Sequence, residues 1–206
     1  MLEKLFFIFS VISLMFVNSG NCADSSRFAV QEPKGDTMEL VSFAPQKINF
    51  PFEIKYPAKW YVREDAIGMP SLFLTREAIK NDTDRYSVGV SLIYNVNYFS
   101  ERQPPSSVLG QTAGSVIRIR DWEESKKQFI EGLQQAGNNV ISQSTITISG
   151  QSALRVDFES KNLRATTLYI KVGIHLLAIT FEAPPEEYKQ YKDIFDKMLN
   201  SFFITR

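Results

Sequence analysis

The sequence offers few residues for acid–base or nucleophilic catalysis. His175 is the only histidine, so a zinc site made of several histidines is excluded and one imidazole remains as a candidate base. The only cysteine, Cys22, lies near the N-terminus, and no Gly-x-Ser-x-Gly motif presents a serine nucleophile. Because His175 falls within an apolar strand pattern, we interpret it as structural. We expect no catalytic residue and no cofactor.

Neighbouring carboxylates do not form a catalytic pair either. The pairs Glu123-Glu124 and Glu186-Glu187 are adjacent within predicted helices, so their side chains point in different directions. Asp82 and Asp84 could bind a hard cation through oxygen, but the glycine and glutamate that complete an EF-type calcium loop are absent. We therefore predict no metal site.

Aromatic residues indicate a binding surface more readily than an active site. They make up 13% of the chain, which suits core packing as well as the border of a ligand cleft. The segment Arg118-Ile119-Arg120 is the only compact basic pair, and nucleic-acid binding needs a wider basic surface. The candidate binding rim consists of six residues close to a predicted long loop: Trp60, Tyr61, Tyr98, Phe99, Arg118 and Arg120.

Length and charge favour one domain with no net charge. The chain has 206 residues, of which 44% are hydrophobic, and this is enough for a single domain with its own core. Lys plus Arg and Asp plus Glu are both 23, so no global field attracts nucleic acid or an anionic membrane.

The N-terminus has the pattern of a secretory signal peptide. A basic start is followed by the apolar run 5–17 and a small polar segment, and the run is too short to span a membrane. We predict a signal peptide over residues 1–23, a flexible leader over 24–36 and a single domain over 37–206. Cleavage after Ser19 or after Ala23 fits the pattern, and we expect a secreted or periplasmic protein.

Cys22 could carry a lipid if cleavage occurred directly before it. Asn21 and Ser19 depart from the residues that normally precede a lipoprotein cysteine, so we expect no lipid anchor, and membrane association only if Cys22 is lipidated. As a lone cysteine it forms no intramolecular disulfide, and the core alone must stabilise the domain.

Period-two patterns predict a series of strands. The predicted strands cover residues 37–43, 49–56, 71–75, 86–95, 140–148, 153–159, 168–172 and 174–181. A turn is expected at 81–84, and a long loop at 98–114 is the natural border of a site. Gly173 is predicted to form a tight hairpin.

Two helices are predicted beside these strands. The first begins after Asp121 and ends near Ala136, with Trp122, Phe129, Leu133 and Ala136 on one buried stripe. The second follows Pro184-Pro185; its stripe is Tyr188, Tyr191, Phe195, Met198 and Phe202. The strand at 174–181 is apolar on both faces, which predicts a central strand with helices on both sides.

Several of these segments resemble the Mog1/PsbP-like superfamily. The similar segments are 52–57 (FEIKYP) with Trp60, 150–153 (GQSA) and 178–184 (AITFEAP) with the helix that follows. The resemblance covers about three quarters of the chain, from residue 50 onward. It implies an α+β fold: an antiparallel β-sheet of about six to seven strands flanked by helices on both faces, an α-β-α sandwich.

The family includes photosystem II subunits, a nuclear Ran-binding factor, mycobacterial lipoproteins and many secreted bacterial proteins. Most members are not enzymes, so the resemblance implies an exported, non-catalytic binding or interaction protein. Its partner would be a protein or a small ligand of the envelope, and not nucleic acid. Two alternatives remain open: a small-ligand or lipid carrier of the envelope, and an extrinsic photosystem-associated subunit if the source is a phototroph.

Overall fold

The computed structural model describes residues 38–65, 69–80, 84–102 and 117–205. The predicted signal peptide and leader, the turn residues 81–83 and the part of the predicted loop from 103 onward lie outside the described residues. In chain order the elements are β1 (Leu40–Phe43), β2 (Phe52–Pro57), β3 (Tyr61–Asp65), β4 (Ser71–Thr75), β5 (Gly89–Asn95), β6 (Ser100–Arg102), β7 (Ile117–Ile119), α1 (Trp122–Gln135), β8 (Asn139–Ile148), β9 (Gln151–Glu159), β10 (Arg164–Val172), β11 (His175–Ala183), α2 (Pro185–Ser201) and β12 (Phe203–Ile204).

The main sheet has seven strands in the order β3-β4-β5-β11-β10-β9-β8. Every neighbouring pair is antiparallel. Strands β3 to β5 form one half and β8 to β11 the other, and the β5–β11 ladder joins them, with Thr180 opposite Ser91. Smaller sheets are formed by β1-β2-β12 and by β6-β7. The predicted fold class is confirmed.

Strand β11 lies at the centre of the main sheet, as its two-sided apolar pattern predicts. Gly173, at φ 60°, makes the hairpin that leads into it. Leu177 and Ile179 point into the same core as the stripe of α2, whereas Leu176 belongs to a second core with the stripe of α1. Since alternate residues of a strand face opposite sides, the two helices cover opposite faces, here called the α1 face and the α2 face.

Several predictions differ from the structure. The predicted strand 86–95 begins only at Gly89, and the predicted strand 168–172 begins earlier, at Arg164. Strand β3 is a strand that the sequence reading left out. Residues 100–102 of the predicted long loop form β6, because they pair with Ile117–Ile119. Ala136 is the exposed C-cap of α1, because the helix ends where the stripe would have continued. Gly137 does follow the helix, with φ 81°.

Gly89 occupies a position in β5 that has no room for a side chain. A Cβ atom there would lie 2.8 Å from Thr75 Cγ2, 2.9 Å from the Leu74 carbonyl oxygen and 3.0 Å from Tyr86 Cε2. The absence of a Cβ lets the Tyr86 ring approach the strand. Gly89 pairs with Glu182 of β11, so Tyr86 reaches that carboxyl group across the glycine.

Replacing Gly89 with Ala should therefore destabilise the protein by about 1–3 kcal/mol, because backbone and ring must move. Urea unfolding measures the effect. Gly132 of α1 is the matched control, since a Cβ there meets nothing within 4 Å, and Gly132→Ala should stabilise by about 0.5–1 kcal/mol through helix propensity. Equal effects of the two substitutions would contradict the steric explanation.

Candidate functional site

The structure brings together only three of the six predicted rim residues. Tyr98, Phe99 and Arg120 lie together on the α1 face. Trp60 is buried in the core of the α2 face, with 7% of its surface exposed. Tyr61 is 54% exposed on strand β3 at the edge of the sheet. Arg118 lies in β7, and its side chain is outside the described part of the chain.

The backbone around Tyr98 is fixed by hydrogen bonds to the β10–β11 hairpin. Asn97 has a positive φ of 58°, and its N–H donates to Nδ1 of His175 at 3.0 Å. The Phe99 N–H donates to the Ile174 carbonyl at 2.9 Å. The His175 ring thus holds the turn that positions Tyr98.

Five aromatic rings form a contiguous group between α1 and the sheet, here called the ring cluster. Its members are Tyr98, Phe99, Trp122, Phe129 and Tyr169. Trp122 stacks on Tyr169 with centroids 5.6 Å apart, and Phe129 stacks on the same ring at 4.6 Å. Tyr98 meets Tyr169 edge to face at 6.2 Å. Tyr169 of strand β10 is therefore the centre of the group.

Three polar atoms of the ring cluster are buried without a hydrogen-bond partner among the described residues. They are Tyr98 Oη, Trp122 Nε1 and Tyr169 Oη. Tyr169 itself is only 2% exposed. Buried polar atoms in native proteins nearly always have a partner in the protein or in ordered water, so three such atoms from three segments make this cluster the strongest candidate for a binding site.

Arg120 and Tyr98 set the electrostatics around the Tyr169 hydroxyl. Burial and then the neighbouring Tyr98 raise the pKa of Tyr169 well above its usual value, while Arg120 lowers it in part. A hydrogen bond with Tyr98 is a further cause of the raised pKa of Tyr169, so the two hydroxyls lie close together, although their geometry falls outside the normal limits of a hydrogen bond. The Arg120 guanidinium lies 4.9 Å from the centroid of the Tyr98 ring. Tyr169 is therefore a neutral donor beside a cation.

A second polar group lies on the same face, across β5 and β11. Glu182 is 7% exposed; burial raises its pKa to about 7, against a smaller lowering by the hydrogen bond from Tyr86. Ser91 on β5 is 1% exposed. Burial raises the pKa of Tyr86 and a hydrogen bond with the Ser91 side chain lowers it in part, although the Ser91 Oγ has no partner of normal geometry among the described residues. This group contains an acid that changes charge near neutral pH.

Arg76 forms a polar network at the other face. Its guanidinium donates to Glu187 Oε2 at 2.6 Å, to the Tyr191 hydroxyl at 2.9 Å and to Ser87 Oγ at 2.8 Å. Glu77 completes the network with a 2.8 Å ion pair. Because the carboxylates and hydroxyls pair with the arginine, we interpret this network as a structural contact that stabilises the packing of α2 against the sheet.

Trp122 and Tyr169 are functional candidates that the sequence reading missed. Trp122 falls on the apolar stripe of α1, and Tyr169 falls within an apolar strand, so both read as core residues. The feature of the sequence that could have pointed to them is their residue type, since Trp and Tyr each carry one polar atom that normally needs a hydrogen-bond partner when buried.

The described residues show neither a metal-binding cluster nor a membrane-spanning helix. They contain no group of three or more His, Cys, Asp or Glu side chains placed to hold a metal, and Asp82 lies outside them. None of the described helices is both long enough and apolar enough to cross a membrane.

Comparisons with known proteins bear on the fold. No protein-family model matches the sequence, and no curated protein matches it. Among solved structures, the cyanobacterial PsbP (CyanoP) of Synechocystis matches with a TM-score of 0.49 and 13% identity, over 91% of this chain and 99% of that one.

Two further solved structures match with lower TM-scores. A Pseudomonas aeruginosa protein of unknown function matches with a TM-score of 0.44 and 10% identity, over 81% of this chain and 97% of that one. LpqN of Mycobacterium tuberculosis, which is involved in cell envelope biogenesis, matches with a TM-score of 0.35 and 14% identity, over 84% of this chain and 88% of that one.

Proposed function

We propose that the protein is an exported, non-catalytic binding protein whose small ligand occupies the ring cluster. The observation that carries this proposal is the burial of Tyr98 Oη, Trp122 Nε1 and Tyr169 Oη without hydrogen-bond partners among the described residues. Each such atom costs about 1–3 kcal/mol in the ligand-free protein. A ligand with hydrogen-bond acceptors would recover that free energy on binding.

The chemistry of the cluster favours binding over catalysis. Its unpaired atoms belong to phenol and indole groups, and its adjacent charged group is a guanidinium. The one histidine uses Nδ1 to accept the Asn97 N–H. Among the described side chains of the cluster there is thus no nucleophile beside a base.

A small ligand fits these atoms better than a flat protein partner does. Tyr169 is almost fully buried, so binding to its hydroxyl requires the rings around it to move apart. A protein surface could reach its hydroxyl only by inserting a side chain, whereas a small molecule binds in such enclosed sites with most of its surface buried. Export follows from the predicted signal peptide over residues 1–23.

Removing the Tyr169 hydroxyl should stabilise the ligand-free protein. Tyr169→Phe deletes a buried, unpaired polar atom and keeps the ring, so unfolding in urea should require about 1 kcal/mol more. The matched control is Tyr188→Phe, because the Tyr188 hydroxyl is hydrogen-bonded to Thr166 Oγ1 at 2.6 Å and its loss should cost about 1 kcal/mol. If Tyr169→Phe is as destabilising as the control, the hydroxyl has a structural partner.

Direct evidence for a ligand can come from the protein isolated from its native envelope fraction. Native mass spectrometry should show a bound small molecule that is lost after unfolding and refolding. Trp122→Phe should reduce its occupancy, and Tyr61→Phe, which changes an exposed hydroxyl at the far edge, should not. Protein that carries no small molecule, together with a destabilising Tyr169→Phe, would overturn the proposed function.

A further inference from the structure

We propose that the ligand of the ring cluster presents a carboxylate group to Tyr98, Trp122 and Tyr169, a conclusion that rests on the proposed function. The indole N–H can only donate a hydrogen bond, and a neutral phenol donates readily. The unpaired atoms therefore require acceptors. A carboxylate offers two oxygens with about four acceptor positions, so a single carboxylate can accept hydrogen bonds from more than one of these donors.

Cations surround the ring cluster. Three of them lie over its rings: Arg120 over Tyr98 at 4.9 Å, Lys126 over Trp122 at 5.5 Å and Lys171 over Phe99 at 5.3 Å, measured to the ring centroids. Charge-assisted hydrogen bonds are stronger than neutral ones. The positive charges of Arg120 and Lys171 therefore favour an anion over a neutral acceptor at this site, whereas the charge of Lys126 is offset by Glu123 at 2.8 Å.

The nearby acidic side chains already have partners within α1. Asp121 caps the helix by accepting the Glu124 N–H at 2.9 Å. Glu123 pairs with Lys126 at 2.8 Å, and Glu124 accepts from Gln128 at 3.1 Å. All three carboxylates are exposed, so solvent screens their repulsion of an anion in the buried part of the cluster.

The rest of the ligand must suit an apolar surrounding. Phe99 is fully buried and Phe129 nearly so, and neither ring offers a hydrogen bond. We therefore expect an organic acid with an aromatic or aliphatic body, and not a free inorganic anion. Such a body gains from contact with the rings, while its carboxylate is held by the donors.

Benzoate and benzamide test this inference, because they share a shape and differ in charge. Isothermal titration of the exported protein should show benzoate binding at least about tenfold more tightly than benzamide. The double variant Tyr98→Phe with Tyr169→Phe should lose this preference, and the control Tyr61→Phe should keep it. Urea unfolding of each variant establishes that it is folded before the titration.

The two proposals fail in different ways. Equal binding of both probes, tighter binding of benzamide or no binding of either would overturn the carboxylate assignment. The proposed function would then still be decided by the molecule that the protein from the envelope fraction carries. If the isolated protein carries a neutral molecule, the binding function stands and the carboxylate assignment is wrong. If it carries no molecule, the binding function is overturned as well.

Discussion

Glu182→Gln should remove a fall in stability that the wild-type protein undergoes as the pH rises from about 4.5 to about 8. In the folded protein the pKa of Glu182 is raised from 4.5 to about 7 because the group is buried. Between these values the unfolded chain has lost the proton and the folded protein keeps it, so rising pH favours unfolding. Below about pH 4.5 both states hold the proton and the contribution vanishes.

The expected effect is large for one residue. One pKa unit corresponds to about 1.4 kcal/mol, so a pKa of about 7 in place of 4.5 lowers the free energy of unfolding by about 3 kcal/mol above pH 7. A neutral Gln at position 182 can still accept the hydrogen bond from Tyr86. The variant should therefore be more stable than wild type at pH 8 and nearly equal to it at low pH.

Urea unfolding at several pH values measures this difference. Glu131→Gln is the control, because Glu131 is half exposed and pairs only loosely with Lys127 at 3.7 Å; its pH profile should follow wild type. Glu77 and Asp157 have lowered pKa values, so their titration weakens the fold only on the acid side. A wild-type stability that stays level between about pH 5 and pH 8 would show that Glu182 is not held protonated.

Trp60→Ala should destabilise the protein by about 3–5 kcal/mol, as expected for a large aromatic side chain removed from a core. The indole packs against Tyr191 and Phe195 of α2, with centroids 6.3 and 6.4 Å away. Its neighbour Tyr61 is exposed, so Tyr61→Ala should change stability by less than about 0.5 kcal/mol. Denaturant midpoints distinguish the two cases.

The same pair of variants also tests where the binding site is. Trp60 lies in the core of the α2 face and the ring cluster lies on the α1 face. Trp60→Ala should therefore leave benzoate affinity unchanged under conditions where the protein remains folded. A large loss of affinity with a small loss of stability would place Trp60 in the binding site, as the sequence predicts for the six-residue rim.

The central part of the fold could be predicted because its signals are local. Gly173 marks the turn of a hairpin. The apolar residues of β11 occur on both of its faces, so the pattern predicts a central strand that is covered on both sides. Strand β3 could not be predicted in this way. It reads Tyr-Val-Arg-Glu-Asp, and it is a strand only because β4 offers it a free edge, which is a property of the assembled sheet.

The candidate site was predictable in part for a related reason. The sequence predicts a long loop from its composition, and residues next to that loop were therefore predicted to border a site. Three of these residues are Tyr98, Phe99 and Arg120. Trp122 and Tyr169 carry apolar rings at core positions, and their spacing cannot show whether a phenol or indole finds a partner. The missing hydrogen bonds arise only when segments far apart in sequence meet.

The β5–β11 ladder has a consequence for the order of folding. Strands β8 to β11 connect to their neighbours through short turns, whereas pairing of Asn95 with Leu176 closes a loop of about 80 residues. Loops of that length close slowly compared with hairpins. We therefore expect the C-terminal meander to form early and strands β3 to β5 to join it late, so the refolding rate would depend on the contacts that Tyr86 and Glu182 make across this ladder.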